Sequence, residues 1–211
     1  MGMGIGSGEI KGKNFSGVNR GQRKASDFYE TPYSITRQFL DQGSFANCKS
    51  ILEPACGNGA IISVLAEYFS ESNISSYDLS MGNSYNFLNE TRKIDCIITN
   101  PPFSLAYEFI LKAKEIATQK FAMLLPLSYL HEEKRYKEIY SDLQYPLSTI
   151  YVYTRYPMLG DPLRSDGKYR TGMMIYAWFV WDKYRKHPEP TIRWISNQQY
   201  ILNKADRKGE E

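Results

Sequence analysis

The amino-acid sequence predicts an α/β fold whose doubly wound, mainly parallel sheet ends in an antiparallel C-terminal hairpin. From residue 27 onward, short apolar runs alternate with segments in which apolar residues recur at helical spacing. The run at 94–99 is nearly continuous in apolar residues, as expected for a parallel strand that is buried on both faces. No helical segment separates the last two runs, which therefore predict a hairpin. The chain of 211 residues is long enough for one such domain.

The predicted elements follow one another without an internal repeat. A helix over 33–43, with glycine at its end, precedes the first strand, Ser50–Glu53. In such folds ligands bind at the carboxyl ends of the strands, so we expect a functional site there. Further strands are predicted at Ile74–Tyr77, Ile94–Thr99, Phe121–Leu125, Thr149–Tyr153 and Met173–Trp181, and further helices at Ala60–Phe69, Tyr107–Thr118 and Tyr129–Tyr140.

Composition divides the chain into a basic arm at 1–24, one domain at 25–188 and a C-terminal extension at 189–211. The arm holds five basic residues against one acidic residue, and seven of the fifteen glycines. The rest of the chain has 21 basic and 22 acidic residues, so the net charge of +3 originates in the arm. With so few apolar residues, the arm is predicted to be disordered. It is either a solubilising tail or cloning remnant, or a segment that binds phosphates.

Composition also excludes several classes of protein. No stretch contains the roughly 18 uncharged apolar residues that a membrane span needs, and the N-terminus lacks the features of a signal peptide. Three cysteines (Cys48, Cys56 and Cys96) are too few and too scattered to predict a disulfide framework or a zinc site. We therefore expect a reducing, cytoplasmic setting, with neither a metal centre nor a membrane partner.

A glycine-containing turn, Glu53-Pro-Ala-Cys-Gly-Asn-Gly59, lies between the first predicted strand and the helix that follows it. Gly57 and Gly59 permit a tight turn and the close approach of a ligand to the backbone. The spacing matches neither the dinucleotide-binding motif nor the P-loop, so we do not expect a pyrophosphate ligand. Asp78 ends the next strand, where an acidic residue commonly accepts hydrogen bonds from ribose hydroxyls. An ordinary strand-to-helix connection is the alternative interpretation of this turn.

A second motif, Asn100-Pro-Pro-Phe103, follows the strand Ile94–Thr99 directly. The prolines stiffen the segment and remove two backbone donors, which leaves an edge rich in acceptors. The Asn100 side chain and the Pro101 carbonyl can accept the two hydrogens of an exocyclic amine, beside the flat face of Phe103. Accepting both hydrogens frees the nitrogen lone pair for attack on a methyl sulfonium, with positioning supplying most of the rate. The alternative is a rigid turn with Phe103 in the core.

Together these segments resemble the S-adenosylmethionine-dependent amino-methyltransferases that modify the N6 amine of adenine in DNA. The segment Glu53–Gly59 is similar to the cofactor motif of that family, and Asn100–Phe103 is similar to its catalytic tetrapeptide. The segment Asp27–Pro32 resembles the family's N-terminal motif, which closes over the methionine part of the cofactor. The resemblance extends over about residues 27–181. It implies a Rossmann-like fold and S-adenosylmethionine as the cofactor.

The resemblance also implies roles for individual residues. Asn100, Pro101, Pro102 and Phe103 would form the catalytic loop. The segment Ser84–Leu88 would bracket the adenine of the cofactor, although this chain has Asn86 where the family often has aspartate. The implied cofactor-binding residues are Tyr29, Thr31, Pro32, Glu53, Pro54, Ala55, Cys56, Gly57, Gly59, Asp78, Asn86, Phe87 and Asn100.

The nature of the substrate is less completely specified. Asn100 favours adenine, because cytosine-N4 members of the family more often have serine at this position. In a duplex the target base would have to be flipped out of the stack. Adenine in RNA and a glutamine amide in a protein remain alternative substrates, since each presents an NH2 on a planar group. A catalytically silent module that binds the cofactor or DNA is the alternative from another class.

The sequence offers no segment large enough for the separate recognition domain that sequence-reading family members usually carry. The loop 155–172 interleaves basic and aromatic residues, which suits contact with phosphates and stacking on bases in duplex or single-stranded DNA. A solvated hairpin loop is the alternative. We therefore predict low sequence specificity, unless a partner subunit supplies recognition. The predicted nucleic-acid-binding residues are Arg155, Arg164, Lys168 and Arg170.

Overall fold

The structure is a computed structural model, and it describes residues 30–78, 86–156, 165 and 174–196. Within these ranges no helix has the length and apolar character needed to cross a membrane. The described strands are β1 (Ile51–Glu53), β2 (Ile74–Ser76), β3 (Ile94–Thr99), β4 (Ala117–Pro126), β5 (Leu147–Tyr153), β6 (Tyr176–Asp182) and β7 (Thr191–Ile195). The described helices are α1 (Tyr33–Leu40), α2 (Ala60–Tyr68), α3 (Ala106–Ile116) and the short α4 (Glu133–Arg135).

The described strands form one mixed sheet in the order β2-β1-β3-β4-β6-β5-β7. Strands β2, β1, β3 and β4 pair in parallel. Strand β6 is antiparallel to both β4 and β5, whereas β7 runs parallel to β5. The prediction of a doubly wound, mainly parallel sheet with an antiparallel C-terminal hairpin is confirmed.

Two apolar layers cover the two faces of the sheet. On one face α1 and α2 pack against alternate strand residues, including Cys96 and Ile98 of β3. On the other face α3 packs against the intervening positions, such as Ile97. The period-2 alternation of a strand thus supplies side chains to both layers from a single apolar run. As predicted, Trp178, Phe179 and Trp181 are fully buried core residues of β6.

The predicted helix Tyr129–Tyr140 is wrong over its first four residues. Residues 127–130 form a 3-10 turn, and a helix begins only at Glu133 and continues as a π-helical turn over Tyr136–Tyr140. The reason is the backbone of Glu132, whose φ of 142° is incompatible with a helix. The amphipathic pattern predicts the buried side of the segment but not this interruption.

The last strand, β7, was not predicted from the sequence. It lies beyond the expected domain boundary at residue 188 and adds a parallel edge to β5, with Ile150 opposite Ile192 and Tyr153 opposite Ile195. The sequence TIRWI alternates polar and apolar residues, but five residues are a weak signal, and all of these side chains except Ile195 are exposed. Only pairing with β5 makes it a strand.

Two of the three cysteines form a disulfide, which the sequence did not predict. Cys48 lies in the loop before β1 and Cys96 lies in β3; their Cα atoms are 6.0 Å apart and 48 residues separate them in the chain. The pairing of β1 with β3, which sets Ile51 opposite Cys96, brings the two together. Cys56 remains a thiol. A single cross-link of this kind depends on strand order, which spacing along the chain does not reveal.

Candidate active site

The candidate active site lies at the carboxyl end of the sheet, where three neighbouring strands end. Strand β1 is flanked by β2 on one side and by β3 on the other, so the chain changes direction across the sheet after β2. The crevice at such a switch point is the usual ligand site of this architecture. The turn 53–59 follows β1, Asp78 follows β2, and Asn100–Phe103 follows β3. The fold therefore brings together the segments that the sequence singled out.

The turn after β1 is shaped by glycine and is fastened to the end of β2. Gly57 has φ 49°, and Gly59, which precedes α2, has φ 84°, a conformation that strains other residues. The backbone N–H of Gly57 donates a 2.8 Å hydrogen bond to Oδ2 of Asp78. The N–H of Cys56 donates to the carbonyl of Tyr77 at 3.0 Å. These bonds place the Asp78 carboxylate directly beside the turn.

Glu53 is fully buried at the base of this turn. Its Oε1 accepts hydrogen bonds from the Ala55 N–H at 2.9 Å and from the Thr99 hydroxyl at 2.6 Å. Its Oε2 is also buried and has no hydrogen-bond partner among the described residues. Burial raises the pKa of Glu53 from 4.5 to about 8, against the opposing effect of these two bonds, and the charge of Asp78 raises it further. A buried carboxyl oxygen without a donor is suited to receive a cation or an N–H group.

Asn100 is joined to the segment that precedes α1. Its Nδ2 donates a 3.0 Å hydrogen bond to Oγ1 of Thr31, which is 69 residues away in the chain and only 4% exposed. Pro32, the next residue, is buried and directly precedes α1. Because Nδ2 is directed at Thr31, the orientation of the Asn100 carboxamide is defined. Pro101 is buried behind it.

The ring of Phe103 belongs to an aromatic cluster that continues along this end of the sheet. It is half-buried and stacks on Tyr176, at the start of β6, with ring centroids 5.8 Å apart and planes 24° from parallel. Tyr176 in turn contacts Tyr156 at 4.7 Å, and Tyr156 meets Tyr153 edge-on at 6.4 Å. Phe103 is therefore held by a neighbouring ring from a strand two positions away in the sheet.

Of the residues expected to bracket an adenine, Asn86 caps a 3-10 turn and Phe87 lies in the core. Oδ1 of Asn86 accepts a 3.0 Å hydrogen bond from the backbone N–H of Leu88 and so caps the 3-10 turn Phe87–Asn89. Phe87 is 2% exposed, and its ring packs on Phe109 of α3 at 4.8 Å. Thus the Phe87 ring forms part of the core beneath the site, and the oxygen of Asn86 is engaged by the backbone.

The other predicted site residues occupy different environments. Pro54 and Cys56 are buried in the turn, Ala55 is half-buried, and Pro102 is half-buried in the loop Asn100–Phe103. Burial raises the pKa of the Cys56 thiol, which is unsuited to act as a nucleophile. Arg155 is exposed immediately after β5. Four predicted residues lie outside the described residues: Tyr29, Arg164, Lys168 and Arg170.

Two residues of the site were missed in the sequence. Thr99 is the last residue of β3 and contacts Glu53, and Tyr176 is the first residue of β6 and contacts Phe103. The position of Thr99, directly before Asn100 at the end of an apolar strand, is a signal that a polar group is needed there. No comparable signal marks Tyr176, whose role depends on strand order. Among the described residues, no group of three or more His, Cys, Asp or Glu side chains could hold a metal ion.

Comparison with known proteins adds information about the fold. No protein-family model and no curated protein sequence matches the chain. A solved structure of the type I restriction-modification methyltransferase subunit from Streptococcus thermophilus is similar, with a TM-score of 0.54 and 13% identity over 87% of this chain and 52% of that one. The M protein of the type I restriction enzyme EcoKI is also similar, with a TM-score of 0.56 and 13% identity over 82% of this chain and 49% of that one.

These similarities show that the chain has the Rossmann-like fold found in those methyltransferase subunits. The chain spans about half the length of the structures it matches. At 13% identity the similarity concerns the architecture, and the chemistry of the site must be argued from its residues.

Proposed function

We propose that this protein is an S-adenosylmethionine-dependent methyltransferase that modifies the N6 amine of adenine in DNA. The observation that carries the proposal is the meeting of two segments at the switch point of the sheet. The glycine turn with its buried Glu53 lies at the end of β1, and the Asn100–Phe103 loop lies at the end of the adjacent β3. One segment suits the cofactor and the other suits a planar amine, so both reactants would meet between adjacent strands.

An observation from the structure, in addition to the sequence motif Glu53–Gly59, supports the fit of S-adenosylmethionine to the residues present. The buried Oε2 of Glu53 has no donor among the described residues, and the α-ammonium group of the cofactor is a cationic donor whose charge would favour the ionised form of this carboxyl group. Gly57 allows close approach of the cofactor to the turn, and Asp78, held beside the turn, would accept the ribose hydroxyls. When bound, S-adenosylmethionine supplies a methyl group on a positively charged sulfur.

The catalytic loop would prepare the amine for attack. The Asn100 side-chain oxygen and the Pro101 carbonyl accept the two hydrogens of N6, which concentrates the lone pair on the nitrogen. A bond from N6 to the methyl carbon forms as the carbon–sulfur bond breaks, and the amine releases a proton to water. The hydrogen bond from Asn100 to Thr31 keeps the carboxamide oriented, so most of the acceleration comes from positioning. Phe103 would hold the flipped base flat.

The choice of DNA rests on the sequence resemblance to adenine-N6 enzymes and agrees with the type I restriction-modification subunits that share the fold. We also propose low sequence specificity, with recognition supplied by a partner where it is required. Arg155, exposed beside the site, would contact a phosphate.

The proposal is tested by transfer of a labelled methyl group to duplex DNA, single-stranded DNA, RNA and a protein extract. The modified nucleoside or amino acid would be identified by mass spectrometry, and Asn100→Ala is the matched control. We expect N6-methyladenine in DNA, no product with Asn100→Ala and nearly unchanged cofactor binding by that variant. Label confined to RNA or protein would overturn the choice of substrate, and cofactor binding without any transfer would indicate a silent module.

A further inference from the structure

Thr99 is the polar residue of β3 that links the two halves of the candidate site. It is fully buried, directly precedes Asn100, and donates its hydroxyl to Oε1 of Glu53 at 2.6 Å across the β1–β3 pair. A threonine in this environment is costly unless its hydroxyl is hydrogen-bonded. Within the described residues, its hydroxyl donates to the carboxyl group of Glu53.

The bond has a consequence for the geometry of the carboxyl group. Thr99 and the Ala55 N–H both donate to Oε1, which leaves Oε2 as the oxygen without a donor among the described residues. Without the Thr99 hydroxyl, one donor instead of two would hold Oε1, and rotation of the carboxyl group would be less restricted. The hydroxyl therefore determines which oxygen faces a ligand bound beside the turn.

We infer that Thr99 is a positioning residue that acts through Glu53: its hydroxyl holds the carboxyl group so that Oε2 receives the α-ammonium group of the cofactor. The inference rests on the proposed function, because it takes S-adenosylmethionine and its product as the ligands. Thr99 itself is fully buried. It joins the cofactor side of the site to the strand that carries Asn100.

The test compares two ligands that differ in the group concerned. S-adenosylhomocysteine carries the α-ammonium group, whereas 5′-methylthioadenosine keeps the adenine, the ribose and the thioether but lacks the amino-acid part. Dissociation constants would be measured by isothermal titration calorimetry for the wild type, Thr99→Val and Thr99→Ser. Thr99→Val removes the hydroxyl and keeps the branched shape, and Thr99→Ser keeps the hydroxyl.

We expect Thr99→Val to weaken S-adenosylhomocysteine about three- to tenfold, because a carboxyl group held by one donor must be ordered when the ligand binds. Its affinity for 5′-methylthioadenosine is expected to stay within about twofold, and Thr99→Ser is expected to restore most of the loss. In a Glu53→Gln background, Thr99→Val is expected to have no further effect on S-adenosylhomocysteine, because the group through which it acts has changed. Melting temperatures would be measured for all variants to establish that each remains folded.

Equal weakening of both ligands, or no weakening by Thr99→Val, would overturn the positioning role and leave the proposed function intact. Persistence of the Thr99→Val effect in the Glu53→Gln background would overturn the route through Glu53. If the wild type bound S-adenosylhomocysteine but methylated no DNA, the proposed substrate would fail while the ligand discrimination still supported Thr99. Absence of S-adenosylhomocysteine binding by the wild type would overturn both.

Discussion

The ring of Phe103, in the loop Asn100–Phe103, stacks on the ring of Tyr176, at the start of β6, with centroids 5.8 Å apart. This contact joins the loop after β3 to β6, the antiparallel strand that lies next to β4 in the sheet. A base placed against Phe103 would therefore meet a ring that is already fixed on one side. The position of the ring, and with it the plane of the base, depends on a residue far away in the sequence.

The stacking contact predicts a selective effect of Tyr176→Leu. Loss of the neighbouring ring removes about 0.5–1.5 kcal/mol of aromatic contact, so we expect the KM for nucleic acid to rise several-fold. The affinity for S-adenosylhomocysteine should be unchanged, because the cofactor turn lies on β1. Steady-state kinetics and calorimetry would measure the two quantities. Tyr176→Phe should behave as wild type, and Tyr184→Leu, at a side chain 70% exposed, is the matched control; a cofactor defect in Tyr176→Leu would contradict the assignment.

The raised pKa of Glu53 predicts a pH-dependent effect on stability. Between pH 4.5 and about pH 8 the folded protein retains a proton that the unfolded chain releases, so this group lowers stability as the pH rises. Glu53→Gln cannot ionise. Its melting temperature relative to that of the wild type should therefore increase from pH 4.5 to pH 8. The corresponding change in relative free energy of unfolding is on the order of a few kcal/mol. Differential scanning calorimetry of the ligand-free protein would measure it.

The control for this pH series is Glu67→Gln, at a half-exposed side chain. Arg37 lowers the pKa of Glu67 through a hydrogen bond and its charge, so this carboxylate contributes stability above its unfolded pKa and loses it as the pH falls. The variant should show a small effect of opposite sign, reduced by solvent screening. If the difference in melting temperature between Glu53→Gln and the wild type did not change with pH, the Glu53 carboxyl group would already be ionised in the folded protein.

The disulfide between Cys48 and Cys96 predicts that a reductant destabilises the protein. The cross-link closes a loop of 48 residues, for which about 2–4 kcal/mol of stabilisation is usual, equivalent to about 5–15 °C in Tm. We expect melting curves to shift by that amount with a phosphine reductant, and a Cys48→Ala variant to show no shift. Titration of the denatured protein should find one thiol before reduction and three after it; Cys56→Ser checks the assignment of the single thiol. Three thiols in the untreated protein would contradict the bond.

The charge of residues 1–24 predicts a change in salt dependence. If this segment neutralises phosphates, its deletion will weaken DNA binding and reduce the slope of log K against log salt concentration by up to about four. Fluorescence anisotropy over a range of salt concentrations would measure the slope. A full-length variant with the arm's five basic residues replaced by glutamine separates charge from length. An unchanged slope would assign the segment to the solubilising tail or cloning remnant.

The parts of the fold that could be predicted are those with a local signal. The apolar run at β3 and the hairpin of β5 with β6 are recognisable because each buries side chains in a pattern that the chain itself displays. Strand β7 is five residues long and four of its side chains are exposed, so no buried apolar run marks it. The first four residues of the helix predicted at 129–140 failed for another reason, because the backbone of one residue, Glu132, interrupts the helix despite the amphipathic pattern.

The amino-acid sequence by itself determined the order of the two site segments along the chain: a turn that glycine favours at residues 57 and 59, and a stiff acceptor-rich loop at Asn100–Phe103. Each depends on backbone restrictions of its own residues. The tertiary structure decided which residues of other strands come into contact with these two segments. Thr99 reaches Glu53 and Phe103 reaches Tyr176 only because β3 lies between β1 and β4, with β6 next to β4. Hydrogen bonds and ring contacts act over a few ångströms, and strand order, which no local pattern encodes, determines which residues come within that distance.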